Sequence, residues 1–522
     1  MTIGDMLSRQ AHQRPGAPAL VDDHAGRVLT FAELDEDVGR AAAWLQDLGL
    51  RRGQAVLVFV PMSADLYVAL LALFRLGAVA LFLDPSAGRE HLEQCCARWA
   101  PDALLAVAKA HLLRLTSPAL RRIPLKIGLG LPLPCTRRWP ARWEGPALSD
   151  SPAEPADAAL VTFTSGSTGV PKASVRTHAF LLAQYHALAP NIALEAGEVD
   201  LATLPVFALA NLAAGMTTVI PDVDLRRPGA VDAVKVFAQI ERRGVTRITA
   251  SPAFFERLVE HGRAHGRTLP ALRRLYTGGA PVFPRLLEAL RVLAPSAQVV
   301  AVYGSTEAEP IAHIDASQMT TGDLMAMQTG HGLLAGEVVA EVQLRVLRDR
   351  WGQPRRNLTA AEFAAEILPA GEPGEIVVAG DHVLKGYLGG VGDEETKFRV
   401  EGEVWHRTGD AGCLDEAGRL WLLGRCAARL DDTHGALYPF GLECVAMTFP
   451  EVRRAAALQH EVRRLLVVEA DDDDTLGERL RAATSWAHID EVITLAHIPV
   501  DKRHNAKIDY PKLKELLARS RP

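Results

Sequence analysis

Short apolar runs alternate with amphipathic stretches through the first half of the chain. Apolar residues recur at helical spacing over residues 30–48, which predicts a helix. The apolar runs 55–60 and 78–83 predict buried strands, and the helix-like stretch 63–76 lies between them. The same alternation recurs between residues 200 and 250. This strand–helix–strand order predicts an α/β fold with parallel-rich sheets that helices cover.

The pattern changes in two later segments. Residues 118–155 are rich in Pro, Arg and Trp, which predicts a surface excursion and not a core element. Near the carboxyl terminus, strand candidates at 465–469 and 491–495 flank a helical stretch at 475–487. This order predicts a small α+β domain that begins near Gly424.

Composition narrows the class of protein. Apolar residues make up 48% of the chain, enough for a substantial core, and global disorder is excluded. The net charge of −6 gives no electrostatic argument for a nucleic-acid partner. The six cysteines lack the spacing of a disulfide framework or a zinc site, which indicates free thiols in a reducing compartment. With neither a signal-peptide pattern nor an unbroken apolar stretch of spanning length, we expect a cytoplasmic protein without a membrane span.

The most informative motif is Thr-Ser-Gly-Ser-Thr-Gly-Val-Pro-Lys at residues 164–172. It follows the β-prone run 158–163, so it leaves the end of a buried strand. Glycines let backbone N–H groups face an anion, hydroxyls add donors, and Lys172 adds a point charge. It is not a Walker-type loop, because Pro171 stands where that motif needs glycine. A flexible Ser/Gly turn is the alternative to a polyphosphate site, whose candidate residues are Thr164, Ser165, Gly166, Ser167, Thr168, Gly169 and Lys172.

This motif resembles the phosphate loop of the adenylate-forming (AMP-binding) superfamily. That superfamily includes acyl-CoA synthetases, luciferases and the adenylation domains of peptide synthetases. Its members activate a carboxylic acid with ATP, giving an acyl-AMP and pyrophosphate. The resemblance extends from about residue 30 to Lys507, and it implies that the chain uses ATP and Mg²⁺.

Two turns after strand candidates match the nucleotide-binding motifs of that superfamily. In Tyr-Thr-Gly-Gly-Ala-Pro at 276–281, the paired glycines make a turn against which a flat ring can lie, although a plain turn explains them equally well. In Tyr-Gly-Ser-Thr-Glu at 303–307, Tyr303 could stack on adenine and Thr306 could donate to the α-phosphate. Glu307 could hold Mg²⁺, directly or through water. The resemblance implies that the adenine pocket and its surroundings include Gly279, Ala280, Pro281, Tyr303, Gly304 and Ser305.

Two later segments complete the resemblance. Asp410 ends the run Arg-Thr-Gly-Asp, and a carboxylate is a natural acceptor for paired ribose hydroxyls. In the superfamily the matching aspartate has this role, and the arginine of a later Gly-Arg pair, here Arg425, assists it. The catalytic lysine of the superfamily lies near the carboxyl terminus in a context that Lys507 matches, with Lys502 as a less favoured alternative. Such a lysine stabilises charge on the phosphoryl oxygens while the carboxylate attacks.

The resemblance also implies a division into two domains. A large domain over residues 1–423 would hold ATP and the acid at the ends of its strands. A small domain over residues 424–522 would move about a hinge and bring Lys507 to the α-phosphate. An open form would permit exchange, and a closed form would exclude water from the acyl-AMP.

Departures from the acyl-CoA synthetase pattern narrow the subfamily. Ala208 stands where those enzymes commonly have histidine, and Ala427 where they usually have Asp or Lys. Ala506 stands in place of the glycine that commonly precedes the catalytic lysine. The runs 207–209, 438–443 and 504–508 are similar to the β-lactone synthetases of bacterial long-chain olefin biosynthesis.

That similarity implies a particular substrate and acceptor. The substrate would be a β-hydroxy fatty acid, whose own hydroxyl closes on the acyl carbon and releases AMP. No thiol is needed, because an intramolecular nucleophile has a high effective molarity. Acyl-CoA ligation, with CoA as the acceptor, is the alternative, and a non-catalytic nucleotide-binding relative is less favoured. Partner enzymes of an olefin or lactone pathway are a further expectation.

Overall fold

A computed structural model describes residues 2–83, 88–149, 151–165, 171–460, 462–471, 475–500 and 507–519. The chain divides into two compact units. The first unit comprises Met1–Asp222 and Leu384–Asp393, and the second comprises Val223–Val383 and Glu394–Pro522. Both units mix helices and strands, which confirms the predicted α/β class.

The first unit stacks helices on parallel-rich sheets. Its helices are α1 Ile3–Gln13, α2 Phe31–Asp47, α3 Ala64–Leu76, α4 Arg89–Arg98, α5 Ala108–His111, α6 Pro118–Arg122, α7 His178–Asn191 and α8 Pro205–Ala214. Its strands are β1 Pro18–Asp22, β2 Arg27–Thr30, β3 Ala55–Phe59, β4 Val79–Phe82, β5 Ala103–Val107, β6 Leu125–Leu129, β7 Arg137–Arg138, β8 Ala158–Ser165, β9 Pro171–Thr177, β10 Val199–Ala202 and β11 Thr217–Ile220.

The strands of this unit pair mainly in parallel. Over the described residues, one sheet has the order β7-β6-β5-β3-β4-β8-β9, and only the β8–β9 pair in it is antiparallel. A second run has the order β10-β11-β1-β2, in which β10, β11 and β1 are parallel. The predicted strands at 55–60 and 78–83 are confirmed as β3 and β4.

Local signals in the sequence set the ends of the helices in this unit. Thr30 accepts a hydrogen bond from the Glu33 N–H, and the Glu33 side chain bonds back, so α2 begins with a capping box. Ser63 caps α3, which ends at Gly77 in a left-handed conformation and is buried on every side. Among the helices of the described residues, none is both long and apolar enough to cross a membrane.

The segment 118–155 is a surface excursion only in part, because most of residues 130–149 are exposed whereas the residues before them enter the sheet. Its residues Leu125–Leu129 form β6, which lies between β5 and β7 in the sheet. The rings of Trp139 and Trp143 are buried and meet edge to face, with centroids 4.7 Å apart. For β6 the prediction was wrong, because the strand is short and contains Lys126 and Gly128, which hide its periodicity.

The second unit has a longer series of elements. Its helices are α9 Ala233–Arg243, α10 Pro252–His265, α11 Pro284–Leu293, α12 Thr321–Gln328, α13 Ala360–Glu366, α14 Asp393–Thr396, α15 Pro439–Ala446, α16 Leu476–Ala483 and α17 Tyr510–Arg519. Its strands are β12 Arg247–Ala250, β13 Arg274–Gly278, β14 Gln298–Ser305, β15 Ala308–Asp315, β16 Leu333–Val338, β17 Gln343–Leu347, β18 Gly374–Ala379, β19 Lys397–Val400, β20 Glu403–Leu414, β21 Leu420–Arg425, β22 Leu430–Asp432, β23 Gly435–Leu437, β24 Arg454–His460, β25 Arg463–Glu469 and β26 Glu491–Leu495.

One continuous run of pairing positions the candidate residues of this unit. Its order is β17-β18-β20-β21-β16-β15-β14-β13-β12, and β19 pairs with β20 at its side. Strands β12, β13 and β14 are parallel, whereas the pairs from β14 to β17 are antiparallel. The sheet therefore changes direction at β14, next to the Tyr303 motif.

The carboxyl-terminal part is α+β, as predicted. Strand β25 pairs antiparallel with β24 and parallel with β26. The strands expected at 465–469 and 491–495 are confirmed, and the helix expected at 475–487 is shorter, since α16 ends at Ala483. The predicted domain boundary between residues 423 and 424 stays a prediction. It falls inside β21, which runs on to Arg425.

Candidate active site

Several candidate nucleotide-binding residues of the second unit lie at or just after the carboxyl ends of two neighbouring strands. Strands β13 and β14 are parallel, and Gly278 lies opposite Val302 at their ends. In open α/β sheets, ligands bind beyond this edge. The turns that leave the two strands carry Gly279, Ala280 and Pro281, and Thr306 and Glu307.

Both glycines of the first turn are required by the backbone. A Cβ atom at Gly278 would lie 2.5 Å from the Val302 carbonyl oxygen, so only glycine permits this approach of the strands. Gly279 has a φ of +81°, in the left-handed region, and a Cβ there would meet nothing within 4 Å. The turn therefore leaves a surface poor in side chains beside Tyr303, as a site for a flat ring requires.

Tyr303, Asp410 and Arg425 form one bonded group. The Tyr303 hydroxyl donates to Asp410 Oδ2 at 2.7 Å. Arg425 Nη1 lies 3.1 Å from Asp410 Oδ1, and the two residues are directly opposite on β20 and β21. Burial and the Asp410 carboxylate raise the pKa of Tyr303 well above its usual value, so the phenol stays a donor. These two contacts, one to each carboxylate oxygen, thus fix the orientation of the Asp410 side chain.

A buried ion pair supports the turn that carries Asp410. Arg407 and Glu375 are buried, and the guanidinium donates to both Glu375 oxygens at 2.7 and 2.9 Å. Arg407 also lies over the Trp351 ring, with its Cζ atom 5.2 Å from the ring centroid. That ring packs against Gly409, where a Cβ would lie 2.9 Å from it. Glu375 and Trp351 were not predicted as contributors to the site.

Glu307 lies close enough to Arg425 to interact electrostatically with its guanidinium. It is half-buried in the turn between β14 and β15, and its N–H donates to Ser305 Oγ at 3.2 Å. The pKa of Arg425 is raised, first by Asp410 and also by the charge of Glu307. Thr306, the neighbouring residue in this turn, is also half-buried. Thr306 and Glu307, the predicted α-phosphate donor and Mg²⁺ ligand, therefore lie in the same part of the second unit as Asp410, the predicted ribose acceptor.

The predicted phosphate loop belongs to the first unit. Strands β8 and β9 form its antiparallel arms, with Thr164 opposite Lys172 and Ser165 opposite Pro171. Strand β8 also pairs in parallel with β4, so the loop does leave a strand of the main sheet. Gly166, Ser167, Thr168 and Gly169 lie outside the described residues.

Lys172 contacts a segment far away in the sequence. Its side chain is buried, and Nζ lies 5.9 Å from the centroid of the Tyr387 ring. A Cβ atom at Gly392 would lie 2.6 Å from Lys172 Cε and 3.0 Å from Nζ. The Tyr387 N–H donates to Asp393 Oδ1 at 2.8 Å, and Tyr387 bridges to Ser174 of β9. Tyr387 and Gly392 were not predicted, and the glycine-rich run around them was the available signal.

Lys507 is exposed and follows a stretch that lies outside the described residues, which includes Lys502 and Ala506. Val500 and Ile508 form an antiparallel bridge on either side of that stretch, and the Asp509 N–H donates to the Pro499 carbonyl at 2.9 Å.

The helix that begins three residues after Lys507 is anchored inside the carboxyl-terminal part. The Tyr510 hydroxyl donates to Glu443 Oε1 at 2.5 Å, and the Ala457 N–H donates to the same oxygen at 3.2 Å. Glu443 is buried in α15, and burial raises its pKa to about 7. A buried carboxyl group whose pKa lies near neutral pH therefore holds the start of α17.

The structure collects the predicted residues into two sets, one in each unit. In the second unit it joins Tyr303, Asp410 and Arg425 directly, with Glu307 within electrostatic reach. In the first unit it places Lys172 at the base of the phosphate-loop hairpin. The roles assigned to these residues stay predictions.

Comparison with known proteins finds relatives that match most of the chain. An olefin β-lactone synthetase of Stenotrophomonas maltophilia is 35% identical over 512 residues, which cover 93% of this chain and 90% of that protein. The enzyme of the same name from Xanthomonas campestris pv. campestris is 34% identical with the same coverage. A 4-coumarate–CoA ligase 5 of Oryza sativa subsp. japonica is 26% identical and covers 88% of this chain and 82% of its own length.

Solved structures share the fold. The amide bond synthetase McbA from Marinactinospora thermotolerans superposes with a TM-score of 0.81 at 23% identity, covering 99% of each chain. ATP-bound MatB from Rhodopseudomonas palustris has a TM-score of 0.78 at 21% identity, again over 99% of each chain. The AMP-binding enzyme family matches residues 7–388, most of the chain. The protein therefore belongs to the AMP-binding enzyme family and is an adenylate-forming ligase.

Proposed function

We propose that the protein adenylates a β-hydroxy fatty acid with ATP and closes the acyl-AMP to a β-lactone. The observation that carries this proposal is the 35% identity to an olefin β-lactone synthetase over 93% of the chain. Adenylation is the chemistry of the family, and the lactone step is the part that the name of this relative supports.

The second unit offers groups suited to the nucleoside. The two carboxylate oxygens of Asp410 are oriented by Tyr303 and Arg425. When ATP binds, the ribose hydroxyls could donate to these oxygens in place of Tyr303 and Arg425. The turn at Gly279–Pro281 has little side-chain bulk at Gly279, which would leave room for a flat adenine ring. Glu307 is a single half-buried carboxylate, which fits Mg²⁺ because that ion usually combines one or two carboxylates with nucleotide phosphates. When bound, Mg²⁺ would offset phosphate charge.

Two lysine side chains would bind the phosphates of ATP, one of them at the reacting α-phosphate. Lys172, with the hydroxyls and N–H groups of its hairpin, would hold the phosphates that leave as pyrophosphate. Lys507, in a carboxyl-terminal domain from residue 424 to 522, would reach the α-phosphate. Thr306 would donate to the same phosphate.

Two bond exchanges complete the proposed reaction. A carboxylate oxygen of the acid attacks the α-phosphorus, the bond to the pyrophosphate oxygen breaks, and Lys507 stabilises the charge that builds on the phosphoryl oxygens. The β-hydroxyl then loses its proton to solvent and attacks the acyl carbon, and AMP leaves with the oxygen that bridged carbon and phosphorus. Holding both groups of one substrate together favours ring closure over transfer to a second molecule.

Acyl-CoA ligation is the second candidate, because a 4-coumarate–CoA ligase is 26% identical. One observation in the structure bears on it. Ala208 is fully buried in α8 and packs in the apolar cluster that includes Leu209 and Leu212. A histidine at this position, as in the common CoA-ligase pattern, would have to bury its ring there, which is costly without a hydrogen-bond partner.

Product analysis distinguishes the two reactions. The protein is incubated with ATP, Mg²⁺ and a β-hydroxy fatty acid, with and without CoA, and the products are identified by mass spectrometry. We expect AMP and a CoA-independent product that is lighter than the acid by one water. The matched acid without the β-hydroxyl should give acyl-AMP and no such product. A thioester that forms only with CoA would contradict the lactone step.

A further inference from the structure

One stretch of the first unit differs in charge from the rest of the chain. Residues 103–143 contain eight lysines and arginines and neither aspartate nor glutamate, although the whole chain carries a net charge of −6. This stretch runs from β5 through β6 and β7 to Trp143. A local excess of this size has no role in the adenylation chemistry described above.

The fold brings two connections of this stretch together. Strands β5 and β6 are parallel neighbours, so the chain leaves both at the same edge of the sheet. His111, in the connection after β5, has its Nε2 atom 3.0 Å from the Ile127 carbonyl oxygen. A Cβ at Gly128 would lie 3.3 Å from Thr136 Oγ1 and 3.7 Å from His111 Nε2. The connections after β5 and β6 therefore approach each other at His111 and Thr136, beside Gly128.

These connections expose leucine side chains beside cations. Leu112, Leu115 and Leu131 are 58%, 74% and 73% exposed. Lys109, before the first two leucines, is exposed, and so are Arg137 and Arg138 of the edge strand β7. We call this set the basic leucine surface; it consists of Lys109, Leu112, Leu115, Leu131, Arg137 and Arg138.

Ordinary roles explain only part of this surface. Arginines on an edge strand hinder pairing with other chains, which accounts for Arg137 and Arg138 alone. Single exposed leucines are common on protein surfaces. The surface combines three highly exposed leucines with cations, and the stretch contains no acidic residue to neutralise them. This combination of apolar and cationic side chains is typical of a contact with lipid.

A bilayer fits this surface better than a nucleic acid does. Lysine and arginine at an anionic membrane contact lipid phosphates, while leucines enter the boundary of the acyl chains. A nucleic-acid site would instead offer exposed aromatic rings for stacking or polar groups for base edges. The tryptophans of this stretch, Trp139 and Trp143, are buried.

We propose that the basic leucine surface docks the protein on the surface of a bilayer that contains anionic phospholipid. This inference goes beyond the proposed function, because adenylation of a dissolved acid does not require it. If the substrate is a fatty acid, docking would place the enzyme where such acids partition. The two ideas fail separately, since membrane binding is measured without ATP or acid.

Vesicle sedimentation of the full chain tests the proposal. We expect the protein to sediment with vesicles that contain phosphatidylglycerol and not with pure phosphatidylcholine, and to dissociate at high salt. Each cation near an anionic surface contributes roughly fivefold to partitioning. Arg137→Gln with Arg138→Gln should therefore lower the partition constant about thirtyfold at low salt. Leu112→Ser with Leu131→Ser should lower it by about tenfold or more.

A matched control comes from exposed valines outside the surface. Val234 and Val292 are 59% and 66% exposed, so Val234→Ser with Val292→Ser removes comparable apolar area and should leave sedimentation unchanged. Each variant should keep the thermal transition of the wild type and its adenylation of a dissolved acid. Equal loss in the control pair, or absence of wild-type binding to anionic vesicles, would overturn the proposal. Binding of single-stranded RNA without vesicle binding would overturn it in favour of a nucleic-acid surface.

Discussion

Gly392 provides the sharpest test of how Lys172 is positioned. A methyl group at this position would lie 2.6 Å from Lys172 Cδ and Cε, against the ~3.5–4.0 Å of a favourable carbon contact. The end of the lysine must therefore move by about 1 Å in Gly392→Ala. Since the lysine is flexible at its end, we expect displacement of the ammonium and not unfolding.

Gly389 is the matched control for the backbone. Gly389 and Gly392 have φ angles of +63° and +98°, so alanine is strained at both positions. A Cβ at Gly389, however, would meet nothing within 4 Å. Either variant should lose about 1–2 kcal/mol of unfolding free energy from backbone strain. Gly392→Ala alone should move Lys172.

The magnitude follows from the contact that would be lost. A hydrogen bond to a charged group contributes roughly 1.5–3 kcal/mol, which is about a ten- to hundredfold change in an equilibrium constant. We therefore expect Gly392→Ala to raise the KM for ATP by about tenfold or more, with the KM for the acid nearly unchanged. Acid-dependent pyrophosphate release at varied ATP concentration measures both constants.

A double-mutant cycle gives the result that would refute this reasoning. Lys172→Met should abolish the contact, so adding Gly392→Ala to it should cost little more. If Gly389→Ala raises the KM for ATP as much as Gly392→Ala does, the effect comes from the backbone. Additive losses in the double variant would likewise show that Gly392 does not act through Lys172.

Three further predictions concern the other groups. Lys507→Ala should suppress pyrophosphate release while ATP binding, measured by calorimetry, stays nearly intact; unchanged release would reject Lys507 as the catalytic lysine. Wild-type protein should prefer ATP to its 2′-deoxy analogue, and Asp410→Ala should lose most of that preference in a competition assay, whereas an unchanged preference would place the ribose elsewhere. Burial raises the pKa of Glu443 from 4.5 to about 7. Between these two pH values, the folded protein therefore keeps a proton on Glu443 that the unfolded protein has lost. Stability should therefore fall as pH rises from about 4.5 to about 7, by up to about 3 kcal/mol, and denaturant unfolding should show a weaker pH dependence in Glu443→Gln; an unchanged slope would assign it to other groups.

Local periodicity explains what the sequence could predict of the fold. Strands β3 and β4 and the helix between them are apolar over nearly their whole length, so their type and order are visible in a short window. Strand β6 was not predicted, because Lys126 and Gly128 interrupt the apolar pattern of a five-residue strand that lies between β5 and β7 and buries only its last three residues. Pairing in the sheet decided its structure, and a short window does not contain that information.

The same distinction applies to the candidate site. Tyr303 and Asp410 lie in short motifs whose residue types indicate their chemistry, and the structure joins them by a hydrogen bond. Tyr387, Gly392 and Glu375 act on Lys172 and Arg407 from distant parts of the sequence. The need for a partner could be predicted for a buried arginine such as Arg407, but the identity of that partner depends on strand register.

Tracing the carboxylate oxygens tests the central claim most directly. A β-hydroxy fatty acid with heavy oxygen in both carboxylate positions is incubated with the protein, ATP and Mg²⁺. The masses of the AMP and of the lactone are then measured by mass spectrometry. If the carboxylate is adenylated and the hydroxyl closes the ring, AMP gains one heavy oxygen and the lactone keeps the other. Unlabelled AMP beside a lactone that keeps both heavy oxygens would show that the hydroxyl was activated instead, and would contradict the account.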